Sequence, residues 1–119
     1  MGVTKSYAGV ALDPSAVASP CGSFAKAYFN DSFVLSYSGA VVPMQESGIV
    51  WPGEVGGQYA RGPNSNQTQW IDPEDEHFIS WMRPAGLSNF KKLWAIINQP
   101  LQVGTYTLTV QNNYNTQSW

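Results

Sequence analysis

GTYTLTVQ, residues 104–111, alternates without a break: Tyr106, Leu108 and Val110 fall on one side, and Thr105, Thr107, Thr109 and Gln111 fall on the other. A period of two with aromatic and β-branched content predicts a strand with one buried face. Burying its three apolar side chains would stabilise the fold by about 1.5–3 kcal/mol each. A strand with one dry and one wet face belongs in an antiparallel sheet. The residues after it hold no closing element, so the sheet is expected to have a further strand beyond this sequence.

Working back from that strand, Phe90, Leu93, Trp94 and Ile97 recur at i, i+3, i+4 and i+7. This spacing predicts a short helix over NFKKLWAIIN, capped by Ser88, with Lys91 and Lys92 toward water and Pro100 as its stop. HFISWMR, residues 77–83, is expected as a strand covered on both faces, after a turn at Asp72-Pro73. Residues 53–68 (GEVGGQYARGPNSNQT) read as a long Gly-, Pro- and Asn-rich loop. SGIVWPG, 47–53, reads as a short strand cut by Pro52. FVLSYSGAVV, 33–42, reads as a strand ended by Pro43, and SFAKAYF, 23–29, as two helical turns. Residues 1–20 are irregular. No repeat and no βαβ rhythm appears, so the class is mainly β: an antiparallel, sandwich-like domain with two short helices and long loops, incomplete within this sequence.

Composition narrows the function. A hydrophobic fraction of 43% and five tryptophans in 119 residues describe a folding chain, not a disordered one. Charge is sparse at 12%, and Asn, Gln, Ser, Thr and Gly supply the polarity, as in many secreted or lumenal domains. Six basic against eight acidic residues leave no footprint for a nucleic-acid backbone. No apolar run is long enough to span a bilayer, and the opening MGVTKSYAGVALDPSAVASPCG is a poor signal peptide. The single cysteine, Cys21, has two readings: a buried thiol, or half of a disulfide whose partner precedes Met1.

No pattern of catalytic groups emerges. Asp72, Glu74, Asp75, Glu76 and His77 match neither an EF-hand nor a zinc spacing and read as a solvated acidic turn, ahead of a weak cation site. Carboxylates on one turn do not flank a substrate as a glycosidase pair must. GEVGGQ lacks the Gly-Lys-Ser/Thr ending of a phosphate loop. Trp51, Tyr59, Trp70 and Trp81 read first as core or interface anchors. Arg83 suits a structural lock, stacking on a ring or pairing with a carboxylate such as Glu76. Asn30-Asp31-Ser32 and Asn66-Gln67-Thr68 are glycosylation acceptors. No cofactor is implied, and the chain is not expected to be an enzyme.

Four segments taken in order resemble the CDC50 family, also called Lem3 or TMEM30: PCGSFAKAYFNDSF (20–33), SGIVW (47–51), HFISWMRPAGLSNFKKLW (77–94) and GTYTLTVQNNY (104–114). The resemblance implies a glycoprotein subunit with a membrane helix near each end and a large exoplasmic domain between them. That domain packs on a P4-type ATPase, a phospholipid flippase of the endoplasmic reticulum, Golgi or plasma membrane. It supports the ATPase's folding, exit from the endoplasmic reticulum and phospholipid translocation, while the chemistry stays with the ATPase. The chain would be the middle and later part of that lumenal or extracellular domain, without the membrane helices and the last strand.

Residue by residue, Cys21 matches a family disulfide cysteine, but the region of its usual partner holds Tyr7 and Ala8. Asn30 matches a family glycosylation position. Trp81, Met82, Arg83, Ala85, Leu87, Phe90 and Leu93 match the block around WMR. Pro84, Gly86, Ser88 and Lys91 depart from the Thr, Ala, Pro and Arg usual there, and the changed Pro84 and Gly86 alter the local backbone. Trp51, Trp70, Trp81, Met82, Arg83, Phe90 and Trp94 are the candidate structural or partner-facing residues. An alternative of another class is a small carbohydrate-binding module built on Trp51, Tyr59 or Trp70.

Overall fold

The alternating segment 104–111 forms a strand: β3 spans Tyr106–Gln111. It pairs antiparallel with β1, Ser32–Tyr37, and β1 pairs antiparallel with β2, Ala40–Val42. The computed structural model describes residues 3–15 and 17–114, and among them the sheet has three strands in the order β2–β1–β3. The run 33–42 is therefore a hairpin and not one strand. Ser38 and Gly39 both take positive φ, 49° and 82°, which is the two-residue turn whose twist suits a hairpin.

The register sets Phe33, Leu35 and Tyr37 opposite Val110, Leu108 and Tyr106 on one face. Ser32, Val34 and Ser36 lie opposite Gln111, Thr109 and Thr107 on the other. The apolar face is only part covered. Trp94 packs edge-on against Phe33 at 4.8 Å, and Tyr37 stacks on Tyr106 at 4.7 Å. Leu108 and Val110 remain 54% and 50% exposed, so the burial expected for them is not realised among the described residues. No closed sandwich forms there: the fold is mixed, an antiparallel sheet with short helices.

Val42 on β2 and Ile49 are buried singly, and the clustered core lies apart from the sheet. Ala25, Ile71 and Phe78 are buried together, with Tyr28, Trp70 and Met82 against them, and Ile79 is fully buried. Ala25 lies on α1, Ser23–Lys26, a single turn where two were expected. The long loop holds a five-residue π-type turn at Glu54–Gln58 and a one-turn helix, α2, at Ser65–Thr68. The segment 47–53 is not a strand. The Gly48 and Ile49 amides donate to the Glu76 carboxylate, at 3.0 and 2.8 Å, instead of to a ladder.

Two further expectations are overturned. HFISWMR is not a strand: Glu76–Met82 is α3. Asp75 caps it, accepting the His77 N–H at 2.9 Å, and Phe78 and Met82 share a face at i, i+4. Pro84 ends it by holding Arg83 extended, at φ −63° and ψ 127°. The helix expected after Ser88 is absent, because tertiary partners take the backbone groups a helix would need. Ser80 Oγ donates to the Leu93 carbonyl at 3.2 Å, His77 Nε2 bonds the Trp94 carbonyl at 2.9 Å, and Ile96 exchanges both backbone bonds with Gln45 at 2.8 Å.

Candidate functional site

A helix that ends at a proline leaves carbonyls without intrahelical partners. Here Lys92 supplies the donors. Its Nζ donates to the Trp81 carbonyl and, at 2.9 Å, to the Arg83 carbonyl at the C-terminal end of α3. The ammonium also faces the rings of Trp81, Phe90 and Phe24, at 5.3, 5.7 and 5.8 Å from their centroids. Each such contact adds a modest attraction to the ring's negative face. Burial, followed by the like charge of Arg83, holds the Lys92 ammonium below the usual lysine range. Lys92 therefore turns inward, whereas the sequence placed it toward water.

Around this cation the aromatic side chains form one layer. Trp81 stacks on Phe24 at 5.5 Å and on Phe29 at 6.4 Å, and its indole N–H donates to the Phe24 carbonyl at 3.0 Å. Phe29 meets Tyr114 at 5.9 Å, tying α1's exit to the residues after β3. Trp94 stacks on His77 at 4.7 Å, with 15° between the planes. A groove of about 360 Å³ runs along this layer, with Phe29, Phe33, Trp81, Phe90 and Trp94 among its walls.

Arg83 leaves the layer sideways. Its guanidinium grips Glu54 with two hydrogen bonds, Nε to Oε1 at 3.1 Å and Nη2 to Oε2. That hydrogen bonding holds the Glu54 carboxyl below the usual carboxylate range. Glu54 Oε2 also accepts the Trp51 backbone N–H at 2.7 Å. Arg83 thus locks the 51–54 turn to the end of α3. The carboxylate it meets is Glu54 and not Glu76, whose oxygens are committed to the Gly48 and Ile49 amides.

Of the residues singled out from sequence, Trp81, Phe90 and Trp94 come together in the groove, whereas Arg83 turns away from it to Glu54. Trp70 and Met82 belong to the core instead, and the Trp70 indole N–H donates to the Pro20 carbonyl at 2.7 Å. Trp51 is 70% exposed, and among the described residues Trp51, Tyr59 and Trp70 make no ring–ring contact. Cys21 is exposed, so it is not the buried thiol considered above. Asn30 and Asn66 are both exposed.

The acidic turn is engaged by the fold. Arg61 binds Asp72 and Glu74, Asp75 caps α3 and takes the Tyr28 hydroxyl at 3.2 Å, and His77 bonds Trp94. Among the described residues no group of three or more His, Cys, Asp or Glu is placed to hold a metal ion. Lys92, Phe24 and Phe29 were not among the candidate residues: Lys92 was expected toward water, and Phe24 and Phe29 only within a short helical segment. Only their presence in the blocks 20–33 and 77–94 marked them.

The LEM3 (ligand-effect modulator 3) / CDC50 family matches residues 4–119. ALA-interacting subunit 3 of Arabidopsis thaliana is 32% identical over 114 residues, covering 84% of this chain and 33% of that protein. Cell cycle control protein 50B of Homo sapiens is 31% identical over 134 residues, covering 80% of this chain and 37% of that protein. Cell cycle control protein 50C of Mus musculus is 28% identical over 130 residues, covering 80% and 38%. The chain spans about a third of the length of the relatives it matches. The family match covers nearly the whole sequence and includes α1, α3 and β3, so this chain belongs to the LEM3/CDC50 family.

Proposed function

We propose that this chain is part of the exoplasmic domain of a non-catalytic subunit that binds a P4-type ATPase and supports its folding, its exit from the endoplasmic reticulum and phospholipid translocation. The observation that carries this reading is the family match over residues 4–119. A relative named as an interacting subunit supports it. The site fits a gripping surface: its aromatic rings are held by hydrogen bonds and by a caged cation, and the nearby carboxylates are taken up by backbone amides and arginines. The domain lies on the lumenal or extracellular side of the endoplasmic reticulum, Golgi or plasma membrane. No described helix is long and apolar enough to cross a bilayer, so the anchoring helices are assigned to other parts of the protein. Trp81, Phe90, Trp94 and Arg83 are the residues assigned to the partner-facing surface, with Trp51 beside them.

The finer architecture follows from the sheet. With Leu108 and Val110 half exposed on an apolar face, the three strands are read as one side of a sandwich-like domain whose remaining cover, including a further strand, comes from residues outside 1–119. Asn30 and Asn66 are assigned as glycan carriers, both on exposed positions, and Cys21 as a disulfide half whose partner lies elsewhere in the protein.

Co-expression of the protein carrying this chain with P4-type ATPases of the same organism tests the reading. Co-purification is expected, with a clear loss for Trp81→Ala and Arg83→Ala. Absence of any complex with the unaltered protein would overturn the proposal. Normal assembly by both variants would remove this block from the interface.

A further inference from the structure

The aromatic groove has a second side. Residues 84–93 leave α3 at Pro84 and return to it as a loop pinned at its neck, where Lys92 Nζ donates to the Arg83 carbonyl at 2.9 Å and Ser80 Oγ to the Leu93 carbonyl at 3.2 Å. A loop with closed ends keeps its shape without regular secondary structure. It encloses a concavity of about 500 Å³, to which Pro84, Leu87, Phe90 and Leu93 give apolar walls. Leu87, Phe90 and Leu93 are 78%, 55% and 50% exposed, so this loop presents a cluster of apolar side chains on the surface of the described residues.

The charge around this concavity is one-sided. Arg83, Lys91 and Lys92 line it, half of the six basic residues in the sequence, and none of the eight acidic residues does. Glu54 offsets Arg83 from outside, and Lys92 is committed to two carbonyls. Lys91 is exposed and makes no ion pair among the described residues. A chain of net charge −2 thus presents one cation without an ion pair among the described residues, Lys91, beside the apolar side chains of this loop, with no carboxylate lining it.

We propose that this loop takes an extended acidic segment of the partner protein, one apolar side chain seated among Leu87, Phe90 and Leu93 and a carboxylate beside it on Lys91. The proposal rests on the subunit reading above and names the kind of partner segment that meets this part of the surface. Concavity favours a peptide over a lipid surface: a bilayer receives convex apolar tips, whereas a hollow must be filled by a side chain. A rim lysine acts chiefly on approach and selectivity, and its effect falls with salt.

The test uses the protein carrying this chain, co-expressed with its P4-type ATPase, in the variants Lys91→Glu, Lys91→Arg and Leu87→Asp. Both positions are exposed, so equal amounts of folded subunit are expected. Lys91→Glu is expected to lower recovery of the complex by about tenfold at low salt, with the gap narrowing at high salt. Lys91→Arg should match the unaltered protein, and Leu87→Asp should lower recovery at every salt concentration. Assembly of both Lys91→Glu and Leu87→Asp at the level of the unaltered protein would overturn the loop proposal and leave the subunit reading standing. Failure of the unaltered protein to assemble would remove both. A loss of binding to phosphatidylserine–phosphatidylcholine vesicles, with assembly intact, would also overturn the proposal by giving the loop to lipid.

Discussion

Lys92 stands where three demands meet: the end of a helix needs donors, a proline forbids the next turn, and three rings offer their faces. Its two bonds to the Trp81 and Arg83 carbonyls are charge-assisted, a class stronger than neutral hydrogen bonds. Part of that gain is offset by removing the ammonium from water, which is what lowers its pKa. Lys92→Met keeps the stem and loses the donors, so it is expected to destabilise by about 1–3 kcal/mol. Chemical denaturation followed by tryptophan fluorescence measures this, and an unchanged midpoint would show the cap to be idle. Glu54 carries a pH dependence of definite sign. Its carboxyl is held below its ordinary value of 4.5, chiefly by the Arg83 hydrogen bonds, so the folded state favours the ionised form. The lock is therefore present above the unfolded value and lost as pH falls through the lower folded one. Glu54→Gln should remove part of the stability lost on acidification below about pH 4.5. Equal acid sensitivity in both proteins would argue against it.

At the level of elements, α3 depends on its cap. Asp75 accepts the His77 N–H on one oxygen and the Tyr28 hydroxyl on the other. Asp75→Ala should cost about 1–2 kcal/mol, read as a lower denaturation midpoint, while Asp75→Asn, which can still cap, should recover most of it. This element also shows where the sequence was legible and where it was not. TYTLTVQ has polar residues at every other position and admits only one period, so β3 came through. FISWM is apolar on nearly every residue, so a two-residue and a helical period fit it alike. The deciding signals were Asp75 before it and Pro84 after it, both visible but outweighed by the β-branched and aromatic content. The reverse error, a helix over residues 89–98, has the converse cause. The 3–4 spacing was real, but Ser80, His77 and Gln45 claim that backbone from far along the chain, and a local pattern cannot register them. Ser38-Gly39 was a turn signal hidden inside a strong strand composition. The candidate site shared this fate. Its tryptophans were legible as large side chains in need of partners, and the cation that organises them was not.

At the level of the whole molecule, the sheet carries the remaining question, because its two faces differ so clearly. One face pairs Ser32, Ser36, Thr107, Thr109 and Gln111; the other pairs Leu35 with Leu108 and Phe33 with Val110. Such alternation maintains a buried side, yet the described residues cover only the Phe33 end, through Trp94. If the sandwich-like reading holds, a second layer lies over Leu108 in the protein that carries this chain, and Leu108→Asp would bury an unpaired carboxylate. The penalty then exceeds about 3 kcal/mol, enough to prevent folding in a domain of ordinary marginal stability. If that face meets water, the same substitution changes stability by less than about 0.5 kcal/mol. Thr109→Asp, one residue along on the polar face, serves as the reference for strand propensity alone. Severe loss for Leu108→Asp with near-normal yield for Thr109→Asp is the expected pattern. Equal yields would mean that the apolar face is not a core, and the antiparallel sheet would then stand as a single layer whose alternation serves contact with another protein.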